Sequence, residues 1–161
     1  MTGRDSRKSR SSASDAADAA WQRAVRILTV RDHSEHEIRE RLAAAGASAS
    51  TIDATVRRLR QLRYLDDRRF AHGAAESAAR REHGSERVRA ELTAKGVAES
   101  LVEEAVRAAF TDETELARQA LARRYPTVVQ APAARAKAAR FLLRQGFPEA
   151  IVSAVLGEEF Y

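Results

Sequence analysis

Ile38–Val56 reads IRERLAAAGASASTIDATV, Val88–Val106 reads VRAELTAKGVAESLVEEAV, and Ala138–Leu156 reads AARFLLRQGFPEAIVSAVL. The glycines at 46, 96 and 146 are 50 residues apart, and four apolar columns keep the same register. They are Ile38, Val88, Ala138; Leu42, Leu92, Leu142; Ile52, Val102, Val152; and Val56, Val106, Leu156. Within each copy the apolar residues recur three and four apart, the period of a helix with one buried stripe. A glycine closing such a stripe marks a helix that ends on a left-handed residue. Each copy therefore reads as helix, glycine turn, helix, preceded by one more helix (residues 16–31, 67–82 and 112–124). A period near 50 with two or three helices per unit is the signature of a tandem helical array. The expected fold class is all-α: three three-helix, helix-turn-helix-like repeats over residues 16–65, 66–111 and 112–161.

The boundaries of the copies carry their own chemistry. Ser34 with Glu37 three residues on is a capping box, and Pro148 suits the first turn of a last helix. Between the first two copies lies Tyr64-Leu65-Asp66-Asp67-Arg68-Arg69-Phe70-Ala71. With Asp66 as N-cap, Asp67 meets the positive end of the helix dipole. Leu65 and Phe70 then take the spacing of a hydrophobic staple, which fixes the angle of chain entry. Tyr64, Leu65, Asp66 and Phe70 are thus expected to form a stiff structural joint, with Arg68 and Arg69 outward. Residues 1–15 (MTGRDSRKSRSSASD) lack apolar periodicity and read as a disordered basic tail.

Composition narrows the function classes. The chain has 161 residues, no cysteine, and 28 Lys+Arg against 23 Asp+Glu. Disulfides, thiolate metal sites and a cysteine nucleophile are excluded, and a cytoplasmic location is expected. No apolar run reaches a membrane span, so no membrane partner is expected. All seven glycines are isolated, leaving no loop to cradle a nucleotide phosphate. His33 and His36 have no third ligand at a zinc-like spacing and read as a solvated loop. Glu103 and Glu104 read as solvating charge on a polar helix face. With no convergent constellation, neither catalysis nor a metal or cofactor is expected.

Charge is instead segregated. No acid occurs from Leu116 to Pro148, a run holding Arg118, Arg123, Arg124, Arg135, Lys137, Arg140 and Arg144. A shorter acid-free run, Ala54 to Leu65, holds Arg57, Arg58, Arg60 and Arg63. Lys137, Arg140 and Arg144 share one helix stripe by their spacing, a pattern able to track a phosphate backbone. Arg87 stands at the register position of Lys137 in the second copy. Arg57 and Arg60 are weaker candidates, because the bases around them point several ways, and a solvated arginine face is the bland alternative for all of them. Arg80, Arg81, Arg123 and Arg124 fall in last turns, where cations complement the dipole. Most aromatics fall at core-like positions and not on a base-stacking platform, which argues against sequence-specific single-strand readout.

The joint residues, Tyr64-Leu65-Asp66-Asp67 with Arg69-Phe70-Ala71, resemble a signature segment of the RecX family of regulatory proteins, with Arg63 where that family usually has glycine. A second segment appears as Arg81, Gly84, Arg87, Val88, Glu91, Leu92, Lys95, Gly96 and Val97. A third appears as Lys137, Arg140, Phe141, Leu142, Gly146 and Phe147, with Gln145 in place of the usual arginine. The likeness runs in order over residues 21–157. It implies an elongated, non-catalytic array of three-helix repeats that binds RecA nucleoprotein filaments and bridges protomers. ATP hydrolysis and strand exchange would be inhibited, tempering recombination and the DNA-damage (SOS) response. Lys95, in the second segment, joins the candidate filament- and DNA-binding residues on this ground. The implied partners are the RecA filament and single- or double-stranded DNA, weakly and without sequence specificity, with the chain a monomer. Two rivals stand beside this reading. One is a helix-turn-helix transcription regulator, disfavoured because the helices after Gly96 and Gly146 are acidic or apolar. The other is a purely structural helical adaptor.

Overall fold

The computed structural model describes residues 5–125 and 132–157, with side chains from Ser14 onward. Those residues form nine α-helices and no strand: α1 (Asp5–Leu28), α2 (Glu35–Ala44), α3 (Ala49–Gln61), α4 (Asp67–Arg80), α5 (Ser85–Ala94), α6 (Glu99–Ala109), α7 (Glu113–Arg124), α8 (Pro132–Gln145) and α9 (Glu149–Leu156). They compose three successive three-helix repeats. All twelve positions of the four apolar columns are buried, from Ile38, Leu42, Leu92, Ala138 and Leu142 at 0% exposure to Leu156 at 8%.

The chain divides into two compact units, Met1–Phe70 and Ala71–Tyr161. In the first, Ala20 and Ala24 of α1 pack with Ile38 and Leu42 of α2, and with Ile52, Val56 and Leu59 of α3. Leu65 closes that core from the following turn. In the second, Ala117 and Ala120 of α7 pack with Ala138 and Leu142 of α8, Phe147, and Val152 and Leu156 of α9. Alanine on the first helix of these three-helix sets lets the backbones approach while Leu and Val fill the facing side. Val88, Leu92, Val102 and Val106 are the corresponding buried residues of α5 and α6.

The glycine turns all close in one way. Gly46, Gly96 and Gly146 have φ of 84°, 69° and 88°. In each, the next residue's N–H (Ala47, Val97, Phe147) reaches back to the carbonyl of the column leucine, Leu42, Leu92 or Leu142, at 3.1–3.2 Å. This six-to-one bond satisfies an orphan carbonyl and turns the chain sharply toward the next helix. The turns after α3 and α4 use the same bonds with side chains in place: Arg63 and Glu82 both have φ 57°, and the Tyr64 and His83 N–H groups reach Leu59 and Ala78. An L-residue held left-handed costs about 1 kcal/mol.

The capping box at Ser34 and Glu37 is present in both directions. Asp66 accepts from the Arg69 N–H at 3.0 Å, and Leu65 and Phe70 are both buried. Pro148 stands one position earlier than expected, as the N-cap of α9, where its missing N–H is equally harmless. Two expectations differ more. The helical backbone of α1 begins at Asp5, inside the stretch expected to be a tail; no glycine or proline interrupts residues 5–28, so nothing in the sequence stops the helix. Residues 1–4 lie outside the described residues. His33, expected in a solvated loop, is 4% exposed: its Nδ1 bonds the Arg31 carbonyl at 2.9 Å, and burial holds the imidazole below its ordinary pKa.

Candidate functional site

The middle helix of each of the first two repeats begins at a joint capped by a carboxylate from the following helix set. The Glu35 N–H at the start of α2 donates to Asp67 Oδ1 at 2.8 Å. The Ser85 N–H and hydroxyl at the start of α5 donate to the Glu113 carboxylate at 2.6 and 2.9 Å. Asp67 and Glu113 are the first residues of α4 and α7, so the same device recurs: the first residue of one repeat caps the middle helix of the repeat before it. A negative charge there also meets the positive end of the helix dipole. Burial pushes the Asp67 carboxyl above its ordinary pKa, only partly offset by the Glu35 N–H.

Two ion-pair clusters recur at the same period. Arg39 bonds Asp53 at 2.7 Å and Glu35 at 2.9 Å; Arg89 bonds Glu103 at 2.8 Å and Glu86 at 3.1 Å. The Arg89 guanidinium holds the Glu103 carboxyl below its usual range. Glu103 is therefore a tie between α5 and α6, not solvating charge, and Glu104 likewise reaches His72 at 3.2 Å. The spacing of 14 residues between Arg39 and Asp53, repeated between Arg89 and Glu103, is a signal that the sequence carries. At the same register the third repeat has Ala139 and Ser153. A cleft of about 230 Å³ opens there, lined by Ala139, Arg140, Leu143, Glu149, Val152 and Ser153 among others.

The cations proposed for binding separate by whether the fold uses them. Lys137, Arg140 and Arg144 are exposed along α8, while Ala138 and Leu142 face the core. Phe141 packs edge-on against Tyr125 at 5.8 Å, which fixes the helix's roll. None of the three bases has an ion-pair or hydrogen-bond partner among the described residues. Arg135, by contrast, donates to the Leu156 carbonyl at 2.7 Å and holds the end of α9. Arg87 is exposed and likewise without a partner among the described residues. Its backbone lies so close to Gly146 that a Cβ there would overlap it. The structure thus brings Arg87 beside the end of the stripe, two residues beyond Arg144. Burial, then the Arg87 and Arg81 charges, hold His83 below its ordinary pKa.

The remaining candidates are placed differently. Lys95 is tied to Glu91 at 2.7 Å. In the other unit, Arg57 is exposed without a partner among the described residues, and Arg60 lies 3.7 Å from Glu35. Of the joint residues, Leu65, Asp66 and Phe70 take the structural places described above, but Tyr64 stands 52% exposed. It pairs with Trp21 at a centroid distance of 6.4 Å, and the Arg58 guanidinium lies 3.9 Å over the indole. Trp21 is half-buried and packs against the core of the first unit, and its pairing with Tyr64 escapes sequence reasoning, because the two residues stand on either side of two intervening helices in the chain. Among the described residues no group of acids and histidines could hold a metal ion, and no helix is long and apolar enough to cross a membrane.

Three family models match in chain order: the first, second and third three-helix domains of RecX, over residues 20–59, 66–106 and 111–156. The regulatory protein RecX of Salmonella typhi is 35% identical over 136 residues, covering 78% of this chain and 82% of the relative. That of Salmonella arizonae is 38% identical over the same coverage. The crystal structure of RecX from Lactobacillus salivarius superposes with a TM-score of 0.77 at 20% identity, covering 90% of this chain and 97% of that one. A second crystal structure of a regulatory protein RecX gives 0.76 at 21% identity, over 98% and 80%. The second and third matches begin and end within a few residues of α4–α6 and α7–α9, the first begins within α1 and ends within α3, and the two structures share the fold.

Proposed function

The chain belongs to the RecX family of regulatory proteins, and from that membership we propose that it binds RecA nucleoprotein filaments and inhibits their ATPase and strand-exchange activities. In this reading it acts by binding alone, with no cofactor, and tempers recombination and the DNA-damage response. The observation that carries the reading at residue level is the α8 stripe. Lys137, Arg140 and Arg144 lie exposed, about one turn apart, without an acid within the helix or a partner among the described residues. Cations not neutralised by the fold keep their full potential toward a polyanion. Arg87 extends the same region. Arg57 supplies an independent contact on the other unit. Arg60 and Lys95 take a smaller part, since Glu35 and Glu91 already offset them.

The test is a titration of the purified chain against RecA filaments on single-stranded DNA, following ATP hydrolysis, in parallel with binding to bare duplex DNA. Inhibition by the parent chain, relieved in a Lys137→Glu, Arg140→Glu, Arg144→Glu triple variant that keeps its helical spectrum, is the expected outcome. Tight, sequence-dependent duplex binding with no effect on filaments would instead make the chain a transcription regulator. An inhibition curve unchanged by the triple reversal would remove the stripe from the interface.

A further inference from the structure

In the first unit a cleft of about 360 Å³ lies beside the Trp21–Tyr64 pair. It is lined by Val25, Leu28 and Thr29 of α1 and its end, by Asp32, and by Arg63, Tyr64 and Arg69. Three of the four large hydrophobics that the described residues leave exposed, Val30, Leu62 and Tyr64, fall in the two connections around it. Of these, Tyr64 lines the cleft itself, with Arg63 and Arg69 beside it, and an exposed ring flanked by cations is a contact surface. The volume is at the lower end of small-ligand clefts.

Arg63 adds an independent observation. It is held left-handed at φ 57° in a turn that glycine would make without strain. Glu82 carries the same strain, but its side chain is employed, bonding Arg123 at 2.8 Å. The Arg63 side chain has no partner among the described residues, and it lines the cleft. A strained residue kept at a position that favours glycine, with nothing inside the fold to hold its side chain, points to a task outside the fold. Its backbone carbonyl accepts from Arg69 Nη1 at 3.2 Å, and Arg69 is also 3.7 Å from Asp32. A phenol ring, an aliphatic floor, two guanidinium groups and one carboxylate therefore surround the same space.

We infer that this cleft takes one unpaired nucleobase of a single strand, stacked against Tyr64, with the flanking phosphates on Arg63 and Arg69. The inference rests on the reading that the chain binds nucleic acid, and it names a single-strand contact distinct from the α8 stripe. Every base has a π-face, so such a contact is tolerant of sequence. The charge balance excludes an acidic peptide less well than the geometry does: a planar ring satisfies the Tyr64 face, while Asp32 offers an acceptor to an exocyclic amine or ring N–H. Trp21 is the chain's one tryptophan; lying 6.4 Å from Tyr64, it reports occupancy directly.

The experiment compares a short oligothymidylate with an abasic oligonucleotide of the same length and charge, using the full chain and reading Trp21 fluorescence and the anisotropy of labelled strands. Oligothymidylate should quench Trp21 and bind on the order of tenfold tighter than the abasic strand. Tyr64→Ala should abolish that preference while leaving abasic-strand binding unchanged, and Tyr64→Phe should keep it, since the ring does the stacking. Equal affinity of the parent chain for both strands would overturn the inference and leave the stripe's polyanion contact standing. So would a preference unaffected by Tyr64→Ala. Weaker filament inhibition by Tyr64→Ala with strand binding unaltered would overturn it too, and would assign the cleft to a protein partner. No binding of any strand, duplex included, would bring down the nucleic-acid reading with it.

Discussion

Two glycine-to-alanine substitutions in this chain should move stability in opposite directions. Gly84 is the N-cap of α5 and is buried against the end of α8. Its N–H donates to the Gln145 carbonyl at 2.9 Å, and the Glu86 N–H donates to the Gly146 carbonyl at 3.0 Å. A Cβ at 84 would overlap the backbone of Gly146 and Phe147, so α8 must retreat and both bonds must stretch. Two net hydrogen bonds and part of their desolvation amount to roughly 2–4 kcal/mol. The φ of −82° suits alanine, which lowers unfolded-state entropy and returns about 0.4–1 kcal/mol. Gly84→Ala should therefore destabilise by about 2–3 kcal/mol, lowering the melting temperature by roughly 5–10 °C. Gly73 is exposed within α4, and a Cβ there would meet nothing within 4 Å. Gly73→Ala should accordingly stabilise by about 0.5–1 kcal/mol through helix propensity. Urea and thermal unfolding followed by far-ultraviolet circular dichroism measure both. A Gly84→Ala chain as stable as the parent would refute the close approach of α5 and α8.

Other outcomes follow from single residues. If all three stripe cations contact phosphate, the triple reversal at 137, 140 and 144 should flatten the log-affinity versus log-salt slope for duplex DNA by about 3; a slope unchanged by the reversal counts against those contacts. Arg63→Gly should stabilise by about 1 kcal/mol in urea, because it relieves the left-handed strain, while weakening oligothymidylate binding. Loss of stability instead would mean that the turn is not strained. His33 is held below its ordinary pKa by burial, so the unfolded chain protonates first as pH falls through about 6.5. Its neutral form contributes stability that is present above that pH and lost below it. A His33→Asn chain should lose less stability between pH 7 and pH 5 than the parent, read as the shift in melting temperature.

The fold is legible in the sequence because it is periodic. Twelve column residues, three glycine turns, the Ser34 box and the Asp66 cap all depend on neighbours within one or two turns, where spacing determines contact. What escapes depends on partners far apart in sequence. Nothing local to Gly84 says that Gly146 will press against it, and nothing local to Trp21 names Tyr64. Charged residues mislead for a related reason: Arg89 and Glu103 look like solvated faces of separate helices until the glycine turn folds one helix onto the other. His33 sits beside polar residues, yet the box that starts α2 carries it inward.

Register also separates cations that hold the fold together from cations left for a partner. Positions 37, 87 and 137 are Glu37, Arg87 and Lys137. The first is consumed by the capping box and Arg31; the other two are exposed without partners among the described residues. Positions 39, 89 and 139 run the other way: Arg39 and Arg89 are bound to acids across their turns, and Ala139 is buried. In the third repeat the internal bridge is gone and the charge has moved one residue along, to Arg140, on the outer face. A guanidinium tied to two carboxylates has little potential left to offer, whereas one without an ion-pair partner among the described residues keeps more of its field. The same helix position thus serves cohesion in the first two repeats, and the third repeat dispenses with that tie. The double substitution Ala139→Arg, Ser153→Glu tests the point by restoring the bridge at its register. It should close the cleft beside α8 and tighten α8 on α9, raising the urea midpoint, yet leave polyanion binding at Lys137, Arg140 and Arg144 intact. Duplex affinity that falls while the midpoint rises would mean that cohesion and binding draw on the same charges after all.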